Sequence, residues 1–191
     1  MLNESKYKLI VISGPGGVGK DSVIAELCRS GKYAESVSYT TREPRTGEVD
    51  GTDYIFVNKD EFLKAVQDNK ILEWTEFAGN LYGSNLELIN QIRKTKHCIM
   101  DLNHEGALEL KRKFPKHVVI IYLTCKPKDL EQRLRTRGDE EDKIKTRLEI
   151  AKTENKHKKH FDKVVENKCG RMLKSVNRID AYINKICKIK G

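Results

Sequence analysis

The sequence predicts an α/β fold in three layers, in which helices cover both faces of a parallel core sheet. Short apolar runs alternate along the chain with segments whose apolar residues recur at helical spacing. Because the runs are apolar on both faces, they predict strands of a parallel sheet buried between helices. Residues 36–84 break the alternation and are rich in Thr, Tyr, Phe and Gly, which indicates a small mixed α+β insertion.

The core elements follow from these patterns in chain order. Tyr7–Ser13 predicts the first buried strand, and the spacing of Val23 to Cys28 predicts the first helix, which ends at Gly31. The later predicted elements are strands at His97–Leu102 and His117–Leu123, a helix from His104 to Phe114 between them, a helix that begins at Pro127, a weak strand at Lys163–Glu166 and an amphipathic helix from Met172 to Ile189.

Within the insertion, Asp53–Val57 and Ile71–Phe77 alternate in polarity as strands do, and Lys59–Gln67 has a helical pattern. We expect Trp74 to pack in the core of this unit. The predicted division is a core made of residues 1–35 and 86–191, and an insertion of residues 36–85.

Composition limits the function classes. The 191 residues are 38% apolar, which suits one folded domain, and no apolar run approaches the roughly 20 residues of a membrane span. The first eight residues lack the apolar stretch of a secretory signal, so we expect a cytoplasmic protein that contacts no membrane. Five cysteines without C-x-x-C spacing disfavour a zinc site or a disulfide framework.

A net charge of +9 suits anionic partners such as nucleotides. Much of the excess lies in Lys152–Lys168 and Lys185–Lys190, and neither segment has interleaved aromatic residues. A stacking platform for nucleic acid is therefore disfavoured, and a solvated lysine-rich surface is the plain alternative.

The strongest motif is the glycine-rich sequence GPGGVGK at residues 14–20, between the first strand and the first helix. Glycines let backbone N–H groups approach phosphate oxygens, and the following helix points its positive end at the same anion. Lys20 adds a full charge, so the segment predicts a P-loop and a P-loop fold. The alternative, a structural turn with a surface lysine, does not explain this strand–loop–helix context. The predicted ATP-binding residues here are Gly14, Pro15, Gly16, Gly17, Val18, Gly19, Lys20, Asp21 and Ser22.

Asp21 departs from the usual Ser or Thr that offers a hydroxyl to magnesium, and Ser22 follows it. A carboxylate at a helix N-terminus suits the helix dipole but repels phosphate. We expect Asp21 to point away from the phosphates or to reach magnesium through water.

The insertion carries a second anion-binding pattern, SYTTREPRTGEVDGTDY at residues 38–54. Two arginines three residues apart, Arg42 and Arg45, flank Pro44 and form a fork suited to a phosphate dianion. Downstream, Glu73 can accept from two N–H donors of guanine, and a hydroxyl such as that of Ser84 can donate to its O6 atom.

The chain resembles the guanylate kinase family from Leu9 to the last helix. The resemblance rests on the P-loop, residues 38–54, EWTEFAGNLYGS at 73–84 and RTRG at 135–138. The resemblance implies phosphorylation of GMP and dGMP by ATP with Mg²⁺. It implies GMP contacts from Ser38, Arg42, Arg45, Tyr54, Glu73, Tyr82, Ser84, Asp101 and Asn103.

The resemblance also implies roles on the ATP side. A lid at about residues 137–147 would supply Arg137 and Arg147, with Arg133 before it and Asn167 near the adenine. Catalysis would depend on Lys20, Arg42, Arg137 and Arg147, and magnesium would be held by Ser22 and Asp101, partly through water. Alternatives are that Tyr54 packs in the sheet and that Arg133 is a solvated helix arginine.

Besides Asp21, three features depart from the family pattern. Asn103 stands where an aspartate is usual, the lid is about one residue short, and Lys168 follows Asn167 where an acid is common. They bear on rate and base preference.

Two other functions remain open on sequence alone: a related sugar-phosphate kinase, and a non-catalytic guanylate-kinase-like interaction module. The intact P-loop and the arginines of the lid disfavour the module, and the Glu73–Ser84 pair disfavours the sugar kinase. The expected partners are ATP and GMP, without nucleic acid, in a monomer or homodimer.

Overall fold

A computed structural model describes residues 1–188, so the predicted helix end at Ile189 lies outside the described part. Its strands are, in chain order, β1 (Leu9–Ser13), β2 (Tyr33–Glu35), β3 (Ser38–Thr40), β4 (Ile55–Phe56), β5 (Ile71–Phe77), β6 (Asn80–Asn85), β7 (His97–Asp101), β8 (Val118–Thr124) and β9 (Lys163–Glu166). Its helices are α1 (Lys20–Arg29), α2 (Lys59–Gln67), α3 (Leu86–Ile92), α4 (His104–Lys113), α5 (Pro127–Thr136), α6 (Glu141–Glu154) and α7 (Met172–Lys188), with a 3₁₀ turn at Asn155–His160.

The core sheet contains five parallel strands in the order β2-β7-β1-β8-β9. Every residue of the central strand β1 is buried, because side chains from both of its faces pack under helices. Ile10 and Ile12 pack with the apolar sides of α1 and α7 on one face, and Leu9 and Val11 pack with α3 and α4 on the other. The predicted three-layer α/β fold with a parallel core is confirmed.

A second, mixed sheet has the strand order β4-β3-β6-β5. Helix α2 begins at a capping box, in which the Asn58 side chain accepts from the Glu61 N–H and the Glu61 carboxylate accepts from the Asn58 N–H. Phe62 of this helix is fully buried against the sheet. The expectation that Trp74 lies in the core is wrong: its side chain is 48% exposed and packs edge-on against Phe62.

The sheet topology places the site. Because the core strands are parallel, their carboxyl ends meet at one edge, where ligands bind in open α/β sheets. The chain leaves β1 into Gly14 at this edge, and Asp101 ends the neighbouring strand β7. Within the described residues, no helix is both long and apolar enough to cross a bilayer.

Candidate active site

The glycine-rich loop ends at Gly19, whose φ of 92° places it in the left-handed region, and α1 begins at Lys20. No side chain caps this helix start, so its first N–H groups are available to an anion. The ammonium group of Lys20 donates to the Gly14 carbonyl at 3.0 Å, which folds the lysine back over the loop. The geometry is that of a phosphate cradle.

Lys20 also faces the carboxylate that ends β7. Its Nζ lies 3.8 Å from Asp101 Oδ2. Burial in the site raises the pKa of Asp101 to about 6, against the opposing charge of Lys20. A carboxylate of this kind, beside a phosphate cradle, is a hard oxygen ligand of the type that Mg²⁺ prefers.

A cavity of about 400 Å³ separates the P-loop from the mixed sheet. Gly14, Gly16, Lys20 and Asp101 line it on the core side. Seven of the nine predicted GMP-binding residues line it: Ser38, Tyr54, Glu73, Tyr82, Ser84, Asp101 and Asn103. The side chains that the sequence assigned to one ligand therefore converge on one space.

Glu73 and Ser84, which the sequence suggests as a pair that reads guanine, lie next to each other in the structure. They lie on the adjacent antiparallel strands β5 and β6, and the Ser84 hydroxyl donates to Glu73 Oε1. The pairing register of β5 with β6 shifts between Ile71 and Trp74, so Glu73 lies at an irregularity of the strand. Such an irregularity changes the direction in which side chains point. Burial raises the pKa of Glu73, and the hydrogen bond from Ser84 acts in the opposite direction.

The predicted phosphate fork is occupied by an internal carboxylate. Arg42 Nη2 lies 2.8 Å from Glu48 Oε1, and the same carboxylate accepts from the Arg45 backbone N–H at 2.8 Å. The Arg42 guanidinium also lies over the Tyr54 ring, 5.5 Å from its centre. Hydrogen bonding to Arg42 is the main cause that lowers the pKa of Glu48. Arg42 and Arg45 do not line the cavity itself; the Arg42 guanidinium lies beside it, over the ring of Tyr54 and within hydrogen-bonding reach of Tyr82.

Arg133 and Asn167 both bind the P-loop backbone. Arg133 Nη1 donates to the Val18 carbonyl at 2.6 Å, and Asn167 Nδ2 donates to the same oxygen at 2.9 Å. Arg133 also donates to the Asn167 carbonyl, and Ser175 donates to the Asn167 side chain. These bonds hold the backbone of the P-loop in place, so Arg133 is not a solvated helix arginine. The role of Asn167 beside adenine stays a prediction.

The two lid arginines share one carboxylate. Arg137 donates twice to Asp139, at 2.8 and 2.5 Å, and Arg147 Nε lies 3.2 Å from the same side chain. A Cβ added to Gly16 would lie 2.6 Å from Arg147 Nη1, so this guanidinium reaches the P-loop. Asp139 therefore holds both cations beside the space where phosphates would lie.

Comparisons with known proteins decide the family. The guanylate kinase family model matches residues 6–184. The chain belongs to the guanylate kinase family. It is 41% identical over 185 residues to a guanylate kinase of Prochlorococcus marinus, which covers 95% of this chain and 96% of that one. A guanylate kinase of Bacillus cereus is 40% identical over 163 residues, with 83% and 80% covered. The crystal structure of guanylate kinase from Anaplasma phagocytophilum superimposes with a TM-score of 0.73 at 27% identity, covering 97% and 88%.

Positions that depart from the family pattern have definite surroundings in this member of the family. The Asn103 carbonyl oxygen accepts from the Gly106 N–H at 2.8 Å and caps α4. Asp21 is exposed and lines a second cavity of about 190 Å³ with Arg133 and Arg137. Ser22 is exposed in the first turn of α1, and its place at magnesium stays a prediction.

Two residues with a place at the site have no predicted role. Glu48 lies within the arginine motif, and its spacing from Arg42 and Arg45 is a usable signal. Glu154 lines the cavity of about 400 Å³ from the end of α6, and nothing in its local sequence distinguishes it from other helix glutamates.

Proposed function

We propose that this protein transfers the γ-phosphoryl group of ATP to GMP, giving ADP and GDP, and that it accepts dGMP as well. The observation that carries the proposal is the cavity that joins the P-loop at Lys20 to the Glu73–Ser84 pair. One end suits the phosphates of the donor and the other suits the guanine of the acceptor. Family membership supports the same reaction.

The reaction needs positioning and neutralisation of charge more than a protein nucleophile. Lys20 and the N–H groups at the start of α1 would hold the ATP phosphates. Arg42 would exchange Glu48 for the GMP phosphate, the Arg45 side chain would add a second guanidinium, and Tyr54 and Tyr82 would bound the phosphate pocket. Arg137 and Arg147 would leave Asp139 for the transferring group, where they act as arginine fingers supplied by the same chain.

Asp101 and Ser22 would hold the magnesium ion that accompanies ATP, partly through water, and the ion would supply further neutralisation of charge. The acceptor unit in this proposal is residues 36–85, the lid is about residues 137–147, and the remainder is the ATP-binding core.

A coupled assay that follows ADP formation over a panel of acceptors tests the proposal. We expect turnover with GMP and dGMP and, because a buried hydrogen-bonding site rejects a base that leaves it unpaired, about 10³- to 10⁴-fold lower kcat/KM with AMP. Turnover of a phosphorylated sugar with none on GMP would favour the sugar-phosphate kinase. Binding of GMP without turnover of any acceptor would favour the interaction module.

A Lys20→Ala variant serves as the matched control. Lys20 contacts the loop carbonyl and Asp101 rather than the apolar core, so its loss should abolish turnover and leave the melting temperature within a few degrees. Near-normal activity of this variant would remove the P-loop from the mechanism.

A further inference from the structure

Four buried polar atoms without hydrogen-bond partners lie in one region of the molecule. Within residues 1–188 these include Ser13 Oγ, Tyr122 Oη, His104 Nδ1 and Glu154 Oε2. Ser13 and Tyr122 are paired in register on β1 and β8, and Glu154 adds to the raised pKa of Tyr122 after the larger effect of burial. Unpaired buried polar atoms are costly and rare, so the cluster needs an explanation. Glu154 alone of the four lines the cavity of about 400 Å³ between the P-loop and the mixed sheet.

The position of Glu154 relates it to the base-reading end of that cavity. Its Oε1 lies 3.7 Å from His104 Nδ1, and His104 directly follows Asn103 at the start of α4. Gly106, one turn further on, lies beside both acceptors of that end. A Cβ built on it would be 3.1 Å from Asn103 Oδ1 and 3.9 Å from Glu73 Oε2. Glu154, Asn103 and Glu73 therefore border the same end of the cavity.

The acceptors at this end are unequal. Guanine presents three donor hydrogens along one edge, one on N1 and two on the exocyclic amino group. Glu73 can accept two of them through its two oxygens. The Asn103 carbonyl already accepts from the Gly106 N–H, and its amide carries no charge to attract the third. Glu154 brings a carboxylate with one buried oxygen that has no partner in the protein.

We propose that Glu154 is a further specificity-determining residue, whose carboxylate accepts the second amino hydrogen of guanine. The inference rests on the proposed function, since it assigns the acceptor base. In this arrangement α6 carries a phosphate-binding arginine, Arg147, near its middle and a base-reading carboxylate at its end. Asn103 caps α4, and His104, which follows it, lies beside Glu154.

The test compares GMP with IMP, which lacks the amino group, in the wild type and in Glu154→Gln. A charge-assisted hydrogen bond corresponds to about a 10- to 100-fold change. We expect kcat/KM for GMP to fall by about that factor and kcat/KM for IMP to change less than about threefold. The preference for GMP over IMP should thus shrink at least about threefold.

Glu105→Gln is the matched control. Glu105 approaches the other nitrogen of the same histidine, at 3.9 Å, but its side chain is 80% exposed and does not line the cavity. It should leave the GMP-to-IMP ratio and the melting temperature unchanged.

Three results would overturn the proposal. An equal loss with GMP and IMP would make Glu154 a structural partner of His104. A change in the GMP-to-dGMP ratio, with the GMP-to-IMP ratio unchanged, would assign Glu154 to the ribose. Unchanged kcat/KM values for both nucleotides in Glu154→Gln would show that Glu154 has no role in recognition. Absence of GMP turnover in the wild type is a separate result, which contradicts the proposed function itself.

Discussion

Replacing Gly14 by alanine tests whether the P-loop must press against the core sheet. The Cβ of alanine at this position would lie 2.3 Å from the Leu123 carbonyl oxygen, far inside van der Waals contact. The φ of Gly14 is +144°, which L-residues rarely adopt, at a strain of about 1–3 kcal/mol. Overpacking against the buried backbone of β8 adds about 1–3 kcal/mol. We therefore expect a loss of about 4 kcal/mol in the free energy of unfolding.

Gly31→Ala is the matched control. Gly31 also has a positive φ, +73°, but a Cβ there meets no atom within 4 Å. Its cost should be the backbone strain alone, about 1–2 kcal/mol. For a chain of this size, 1 kcal/mol corresponds to about 2–4 °C in melting temperature. We expect Gly14→Ala to melt about 10 °C below the wild type, and Gly31→Ala about 3–5 °C below it.

The measurement is thermal unfolding followed by circular dichroism, without nucleotide, because bound ligand would add stability by mass action. Kinase activity, measured at a temperature where both variants are folded, should be lost in Gly14→Ala and kept in Gly31→Ala. If the two variants melted together, or if Gly14→Ala stayed within 3 °C of the wild type, the contact with Leu123 would not constrain the loop.

Three further outcomes are expected. Arg45→Ala should raise KM for GMP about tenfold or more and KM for ATP less than threefold, since Arg45 lies on the acceptor side; equal effects on both substrates would contradict the division of the site. Because the pKa of Asp101 is raised to about 6, its carboxylate is lost as the pH falls through that value. The pH profile of kcat/KM should therefore decline below about pH 6. Asp101→Asn should remove that decline together with most of the activity. If the variant kept the same decline below pH 6, the decline would belong to a group other than Asp101. Binding of GMP and ATP together should compact the molecule in small-angle scattering and protect residues 36–85 and 137–147 from hydrogen exchange; unchanged scattering and exchange would count against closure.

The elements predicted best from sequence are those with a strong local pattern. Helix α2 and strand β5 begin and end at the predicted residues, because turn residues or a capping box bound a clear periodicity there. Strand β9 also has the predicted bounds, although its apolar pattern is weak. Strand β2 was missed. Its three residues have no apolar run and form a strand only through parallel pairing with β7, which a local pattern does not contain.

Helix α6 was missed for a related reason. Its buried residues are few, Ile144 and Ala151 among them, and its other positions are mostly charged, so no continuous apolar stripe marks it. The helix nevertheless carries Arg147 and Glu154 to the two sides of the site. Its position is fixed by packing against α5, where Leu130 and Leu134 meet Ile144.

At the site, the sequence predicted which residues gather there better than it predicted which residues they bond to. The P-loop and the Glu73–Ser84 pair follow from spacing or family resemblance, and the structure brings them to one cavity. The hydrogen bonds to the Val18 carbonyl could not be predicted from the sequence. Their donors, Arg133 and Asn167, reach it from α5 and from the end of β9, more than 100 residues along the chain. Such contacts depend on how the layers stack.

Arginines on both sides of the site are paired with carboxylates of the protein. Arg42 is paired with Glu48, and Arg137 and Arg147 share Asp139. Each group of cations thus already holds an anion where a phosphate would bind. This relieves the repulsion among cations that must gather around one small space, and it keeps their side chains near their working positions.

The two carboxylates also lie on different segments, one in the insertion and one in the lid. On the proposed function, the GMP phosphate would displace Glu48 and the ATP phosphates would displace Asp139. Neither nucleotide alone then releases both groups of arginines. Full neutralisation of the transferring phosphoryl group would require both substrates, so ATP bound without GMP would meet an incomplete site. Closure around two bound nucleotides, rather than around one, is the arrangement that would disfavour hydrolysis of ATP by water.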